Sequence, residues 1–185
     1  MKKPNQNFLN TQLNKNWTLF LDRDGVINER LIGDYVKSVE EFTFCKGAVE
    51  AIATFTKIFG KIIVITNQQG IGKSIMSEMD LLTIHQYMSA EIKKHGGFVN
   101  DIFYCPDLAT KNQNCRKPNP TMAYKAKEKY PSIDFNKSLM IGDSESDMIF
   151  AHNVGCHALF ISPIIHKNYQ TFPSLIHIAK KLLNE

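Results

Sequence analysis

The chain has 185 residues, 43% of them hydrophobic, and 22 Lys plus Arg against 18 Asp plus Glu give a formal net charge of +4. That length suits one domain, and that apolar content is too high for a disordered chain. Its basic residues are scattered with no aromatic–basic cluster, and no apolar run approaches the ~20 residues of a membrane span, so neither nucleic acid nor a membrane is an expected partner.

Residues 1–16 are polar and rich in Asn, Lys and Gln. They read as an N-terminal extension without a secretory apolar stretch, and residues 17–185 read as one domain. A cytoplasmic location is therefore expected, with Cys45, Cys105, Cys115 and Cys156 as reduced thiols. Cys45 and Cys156 suit the usual role of a lone cysteine as a small core hydrophobe.

The segment from Trp17 to Leu21 reads as a buried strand ending at Asp22, and residues 25–45 as a long loop or small hairpin. Ala48, Ile52, Phe55 and Phe59 fall at helical spacing, with Gly60 closing that helix. Lys61 to Ile65 is a second strand, ending at Thr66-Asn67. The next helix starts near Ser77, where Asp80 makes a capping-box variant, and carries an apolar stripe of Leu81, Ile84, Met88 and Ile92. A short strand from Val99 to Tyr104 precedes a polar loop from Cys105 to Pro118 and a helix from Thr121 to Tyr130. Ser138 to Ile141 is a fourth strand, ending at Gly142-Asp143. Glu145 to Asn153 is a helix that stops at Gly155, and His157 to Ile161 is a fifth strand. Ser174 caps a last helix with an apolar face of Leu175, Ile178 and Leu182.

Short all-apolar strands alternating with helices imply an α/β fold with a parallel sheet covered on both faces. Such sheets bind ligands beyond the carboxyl ends of their strands. Four groups stand there: Asp22-Arg23-Asp24-Gly25, Thr66-Asn67, Arg116-Lys117-Pro118, and Gly142-Asp143 with Asp147 four residues on. Two carboxylates two residues apart repel unless a cation joins them. With Asp143 they make an oxygen-rich pocket suited to Mg²⁺, a hard ion that keeps several waters. The Thr66 hydroxyl and the Lys117 charge suit phosphate oxygens. Each group alone is ordinarily a turn, a cap or a surface loop; the four in this order, each after an apolar strand, are not.

These segments resemble the motifs of the haloacid dehalogenase (HAD) superfamily of phosphatases, subfamily IIIA. The resemblance rests on Phe20-Leu-Asp22-Arg-Asp24-Gly-Val-Ile-Asn28, Val64-Ile-Thr66-Asn-Gln-Gln-Gly70, Cys115-Arg-Lys117-Pro118 and Ile141-Gly-Asp143-Ser-Glu-Ser-Asp147, and spans about residues 17–162. It implies a three-layer Rossmann-like fold and a phosphoric monoester hydrolase acting on a small phosphorylated metabolite, as a monomer or small homo-oligomer. In that scheme Asp22 is the nucleophile, Asp24 the general acid and base, and Thr66 and Lys117 the phosphoryl-gripping pair. Mg²⁺ would be held by Asp22, the Asp24 carbonyl and Asp143, with Asp147 orienting Lys117 or a metal-bound water. Asn67 and Arg116 are the candidate substrate contacts. The intervals between motifs leave no room for a large cap domain, so an open pocket bordered by loops 26–40 and 105–118 is expected.

The branch it resembles holds heptose-bisphosphate and histidinol-phosphate phosphatases. Members often carry a zinc loop, but here its positions read Cys105, Asp107, Gln113 and Cys115. Gln is a poor zinc ligand and structural sites are filled by Cys and His, so bound structural zinc is not expected. The Cys105 to Cys115 spacing resembles the histidinol-phosphate enzymes, and the segment from Gly33 to Phe44 the heptose enzymes. D-glycero-D-manno-heptose 1,7-bisphosphate is the expected substrate and histidinol phosphate the alternative. A P-loop kinase would need a glycine five residues before Gly72, where Asn67 stands. A phospho-accepting receiver-like signalling module would share an acceptor Asp, a Thr and a Lys, but Asp24 argues for turnover rather than storage of the phosphoryl group.

Overall fold

The central apolar runs form parallel strands because both faces of the sheet are covered there, which is what a continuous apolar strand requires. The computed structural model describes residues 8 and 11–184. Its strands are β1 (Thr18–Leu21), β2 (Lys61–Asn67), β3 (Asp101–Cys105), β4 (Ser138–Gly142), β5 (His157–Ile161) and β6 (Thr171–Phe172). They form one parallel sheet in the order β3-β2-β1-β4-β5-β6. The helices are α1 (Ala48–Ile58), α2 (Gln69–Gly72), α3 (Glu78–Lys94), α4 (Thr121–Lys129), α5 (Glu145–Val154) and α6 (Leu175–Leu182).

Alternation along each strand divides the core in two. Leu19, Leu21, Ile62, Val64, Leu139 and Ile141 face one layer with buried residues of α1, α3 and α6. Phe20, Ile63, Ile65 and Met140 face the other, with α4 and α5. Burying a large aliphatic or aromatic side chain contributes about 1.5–3 kcal/mol, so the two layers hold the central strands rigid. Leu21 sits in register with Val64 on one side and Ile141 on the other. The three central strands therefore end level, and the chain order reverses between β1 and β4, where open α/β sheets take ligands. Among the described residues there is no second sheet, in keeping with the expected lack of a large cap domain.

Ser77 caps α3 as the sequence suggests: its hydroxyl accepts from the Asp80 N–H, and Asp80 accepts from the Ser77 N–H. Gly155 ends α5 at φ 85°, a conformation that costs glycine little. The short α2 and β6 were not expected. In the expected extension, Phe8 is buried against Trp17 and His157, at ring separations of 5.7 and 4.7 Å. The rest of that segment's first ten residues lie outside the described residues.

The expectation of four reduced thiols is corrected at one pair. The 106–114 loop doubles back so that Cys105, which ends β3, lies beside Cys115, and the two form a disulfide with Cα atoms 5.6 Å apart. That separation is within the usual range for such a bond. Cys45 and Cys156 are free, each half-buried at the edge of the core.

Candidate active site

Asp22 follows β1, and its N–H continues the ladder by donating to the Ile141 carbonyl at 3.0 Å. A tight turn comes next: the Arg23 carbonyl accepts from the N–H groups of Val26, Ile27 and Asn28. Gly25 stands in this turn at φ 87°, and a Cβ there would lie 1.9 Å from Asp143 Oδ2. Glycine is thus required both by the backbone and by the close approach of the carboxylate. Gly142 has a parallel role, since a Cβ would meet Asp147 at 2.3 Å and push α5 off β4.

The turn brings Asp22 beside Asp143 and Asp147, with carboxylate oxygens all within 4.8 Å of one another. Lys117 threads between them. Its ammonium lies 2.8 Å from Asp22 Oδ1 and 2.6 Å from Asp147 Oδ1, and donates to the Ile65 carbonyl at 2.8 Å. Asp147 is also fixed to the start of α5, where its Oδ2 accepts from the Ser144 N–H and hydroxyl. Asp147 thus pairs with Lys117 from a fixed position.

Burial pushes the Asp22 carboxyl up; Lys117 pulls it down, Asp147 and Asp143 push again, and it settles at about 7. Burial likewise lifts Asp143 to about 6, against the pull of Arg30. Burial disfavours the Lys117 charge, but Asp147 and Asp22 outweigh it and hold the ammonium above its ordinary range. Crowded carboxylates with raised pKa values are what a bound cation would relieve.

Asp24 points the other way, into a set of donors. Arg23 and the Asn28 amide bond to its Oδ1 at 2.8 and 3.0 Å, and the Gln68 amide to its Oδ2 at 2.9 Å. Burial raises the Asp24 carboxyl, but Arg23, Asn28 and Gln68 together bring it below its usual value. Gln68 also donates to the Thr66 hydroxyl at 2.9 Å, tying the end of β2 to the end of β1. Arg23 is fully buried, and its second nitrogen lies 3.3 Å from His85 Nε2. A guanidinium only donates, so Nε2 accepts, and burial, with Arg23 nearby, lowers the imidazole to about 3 and keeps it neutral.

The amide of Asn67, expected to touch substrate, brackets Lys117: Oδ1 accepts from the Lys117 N–H at 2.9 Å, and Nδ2 donates to the Lys117 carbonyl at 3.2 Å. Arg116 leans on the Asp107 carbonyl and lines a depression with Gln113 and Asn114. The cavity beside Asp143 and Gly25 is a different one, about 320 Å³, walled by Phe160 to Pro163 and Pro173. So the end of β5 and the loop after it border this cavity, while the expected loops 26–40 and 105–118 bring Arg30 and Lys117 to the carboxylates. His166 lies in that loop, stacked on Tyr169 at 4.6 Å.

The oxygen cluster fits a hard divalent ion. All its donors are oxygen, and the contacts of Asp22 with the Arg23 N–H and with Lys117 both fall on Oδ1. The Asp24 carbonyl and Asp143 Oδ1 face one point, because the same nitrogen of Arg30 lies 3.2 Å from the first and 2.8 Å from the second. Cys105, Asp107 and Cys115 also lie within 4.8 Å of one another. There both sulfurs are bonded to each other, and Asp107 accepts from the Cys115 N–H and pairs with Lys111. Metals bind the thiolate.

Arg23, Asn28, Gln68, Arg30 and His85 were not singled out from the sequence. Arg23's place between two motif carboxylates was the one local signal, and its burial shows only in the fold.

Residues 114–165 match the HAD-hydrolase-like family model. The chain is 37% identical over 142 residues to the D-glycero-alpha-D-manno-heptose-1,7-bisphosphate 7-phosphatase of Mycobacterium bovis, covering 77% of this chain and 75% of that one. It is also 37% identical over 142 residues to the beta-anomer 7-phosphatase of Helicobacter pylori, covering 76% and 80%. Its fold is similar to the crystal structure of the D,D-heptose 1,7-bisphosphate phosphatase from B. bronchiseptica complexed with magnesium and phosphate. That match has a TM-score of 0.82 at 28% identity, covering 91% of this chain and 98% of that one. The chain is thus a phosphoric monoester hydrolase that belongs to the HAD-like family, in the branch of the heptose-bisphosphate phosphatases.

Proposed function

We propose that the chain removes the 7-phosphate of D-glycero-D-manno-heptose 1,7-bisphosphate through a phosphoaspartate on Asp22. The observation that carries this reading is the ion pair of Lys117 with Asp22, at the end of β1, and Asp147, in the first turn of α5. It sets a carboxylate and an ammonium side by side, as a nucleophile and a phosphate-binding cation would need. The substrate follows the relatives, whose names include both anomers of the bisphosphate.

Asp22, Asp143 and the Asp24 carbonyl would hold Mg²⁺. Bound there, Mg²⁺ would neutralise charge between the Asp22 carboxylate and the phosphate and keep Asp22 ionised. Lys117 and the Thr66 hydroxyl grip the phosphoryl oxygens, while Asn67 and Asp147 hold Lys117 in place. An Asp22 oxygen attacks phosphorus in line. The bond from phosphorus to the C7 oxygen breaks, and its electron pair leaves on that oxygen. Alkoxides are poor leaving groups, so a proton must arrive as the bond breaks. Asp24 supplies it. Its three donors keep it a carboxylate at rest. The proton therefore enters with the phosphate monoanion, is taken up by Asp24, and passes to the leaving oxygen. Asp24, ionised again, then deprotonates a water that attacks the phosphorus of the acyl phosphate. Inorganic phosphate departs with the proton that Asp24 took from water, and the carboxylates of both Asp22 and Asp24 are restored.

Arg116, at the rim of the neighbouring depression, is the proposed contact for a distal part of the substrate. The test is turnover of the bisphosphate with and without magnesium, against Asp22→Asn. Loss of magnesium-dependent turnover in that variant is expected, and full activity in it would overturn the proposal.

A further inference from the structure

Two side chains supply positive charge to the carboxylate cluster, and they are built differently. Lys117 is 4% exposed and pinned by two carboxylates, a carbonyl and the Asn67 bracket. Arg30 comes from the loop after the Asp22 turn, and its side chain is 47% exposed. One of its nitrogens bonds to Asp143 Oδ1 at 2.8 Å and to the Asp24 carbonyl at 3.2 Å. Those are the two oxygens, besides Asp22, that the proposed function assigns to the divalent ion. A magnesium ion sits about 2.1 Å from its oxygen ligands. A guanidinium donating to the same oxygens would face a dication a few ångströms away and be repelled.

We infer that Arg30 is a positioning residue that competes with the divalent cation for Asp143 and the Asp24 carbonyl and swings out when the ion binds. This rests on the metal reading of the site given above. The geometry favours displacement of Arg30 over Lys117. Its long stem is half in water, so releasing the guanidinium costs little solvation, and an exposed ion pair is weak. While engaged, it partly neutralises Asp143 and lowers the return on ion binding. The chain's affinity for the ion is therefore held below what its oxygen set alone would give.

The test is direct Mn²⁺ binding at pH 7.5, followed calorimetrically and by loss of the free-ion paramagnetic signal, with no substrate present. Four proteins are compared: wild type, Arg30→Met, Arg30→Lys and Asp143→Asn. Arg30→Met keeps the stem and removes the charge, and should bind Mn²⁺ about two- to fivefold more tightly, the range set by an exposed ion pair. Arg30→Lys should fall between it and the wild type, and Asp143→Asn should lose most of the affinity. Unchanged or weaker binding by Arg30→Met, with the wild type binding normally, would overturn the inference alone. No Mn²⁺ binding by the wild type would overturn the metal reading and the inference with it.

Discussion

Asp143→Asn should make the protein more stable in EDTA and less stable than wild type in magnesium. Burial lifts the Asp143 carboxyl to about 6 from an ordinary 3.8. At pH 8 the folded chain therefore carries a carboxylate that it binds protons to more readily than the unfolded chain does. The sign follows: this cost is full above about 6, shrinks as pH falls towards 3.8, and vanishes below that. Each pKa step is worth about 1.4 kcal/mol, so the ceiling is about 3 kcal/mol. The side chain is 16% exposed, and solvent screening brings the working figure to about 1–2 kcal/mol. Asparagine keeps the shape and removes the charge, and Arg30, already half in water, loses little. Magnesium at a hundred times its Kd should then stabilise the wild type by about 2.7 kcal/mol, and the variant by less. Urea melts at pH 4, 6 and 8, in EDTA and in magnesium, measure all of this. A variant less stable than wild type in EDTA at pH 8, or no reversal in magnesium, would refute the account of a repulsive cluster relieved by an ion.

Two other outcomes follow from contacts around the site. Gln68→Ala removes the donor shared by Asp24 and Thr66 and should lower kcat about ten- to a hundredfold with little change in KM; steady-state kinetics at fixed magnesium check it, and an unchanged kcat would count against the placement of Asp24. Reducing the disulfide from Cys105 to Cys115, which spans ten residues, should cost about 2–3 kcal/mol. Urea melts with and without a phosphine reductant should differ by that amount, while Cys115→Ser should show no response to the reductant.

The parts of the site legible in the sequence are those set by the strands. Asp22, Thr66 and Asp143 each follow a run of buried apolar residues, and a parallel sheet puts such ends on one edge. Lys117, whose charge suits phosphate, and Asp147, four residues after Asp143, stood beside them in the sequence, and the motif resemblance gave them their roles. What escaped depends on tertiary contacts with no local pattern. Arg23 looks like any charged turn residue until His85, sixty-two positions away, is seen to accept from it. Gln68 carries no chemistry of its own and matters because β1 brings Asp24 within 2.9 Å. Asn67 reads as a free polar residue at a strand end, and only the return of the 105–118 loop gives it Lys117 to hold. The disulfide was hidden for the same reason, since pairing depends on how that loop doubles back. The two-residue β6 is too short to leave a periodic signal.

The most direct test of the central claim is phosphate release from both anomers of D-glycero-D-manno-heptose 1,7-bisphosphate, with histidinol phosphate and a generic phosphate ester alongside. Each is assayed with and without magnesium, in wild type and Asp22→Asn, and the product is identified by phosphorus NMR. The predicted result is magnesium-dependent loss of the 7-phosphate from one or both anomers, leaving heptose 1-phosphate, and no release by Asp22→Asn. Preference for histidinol phosphate would contradict the substrate, and release undiminished in Asp22→Asn, or none from any ester, would contradict the phosphoaspartate mechanism.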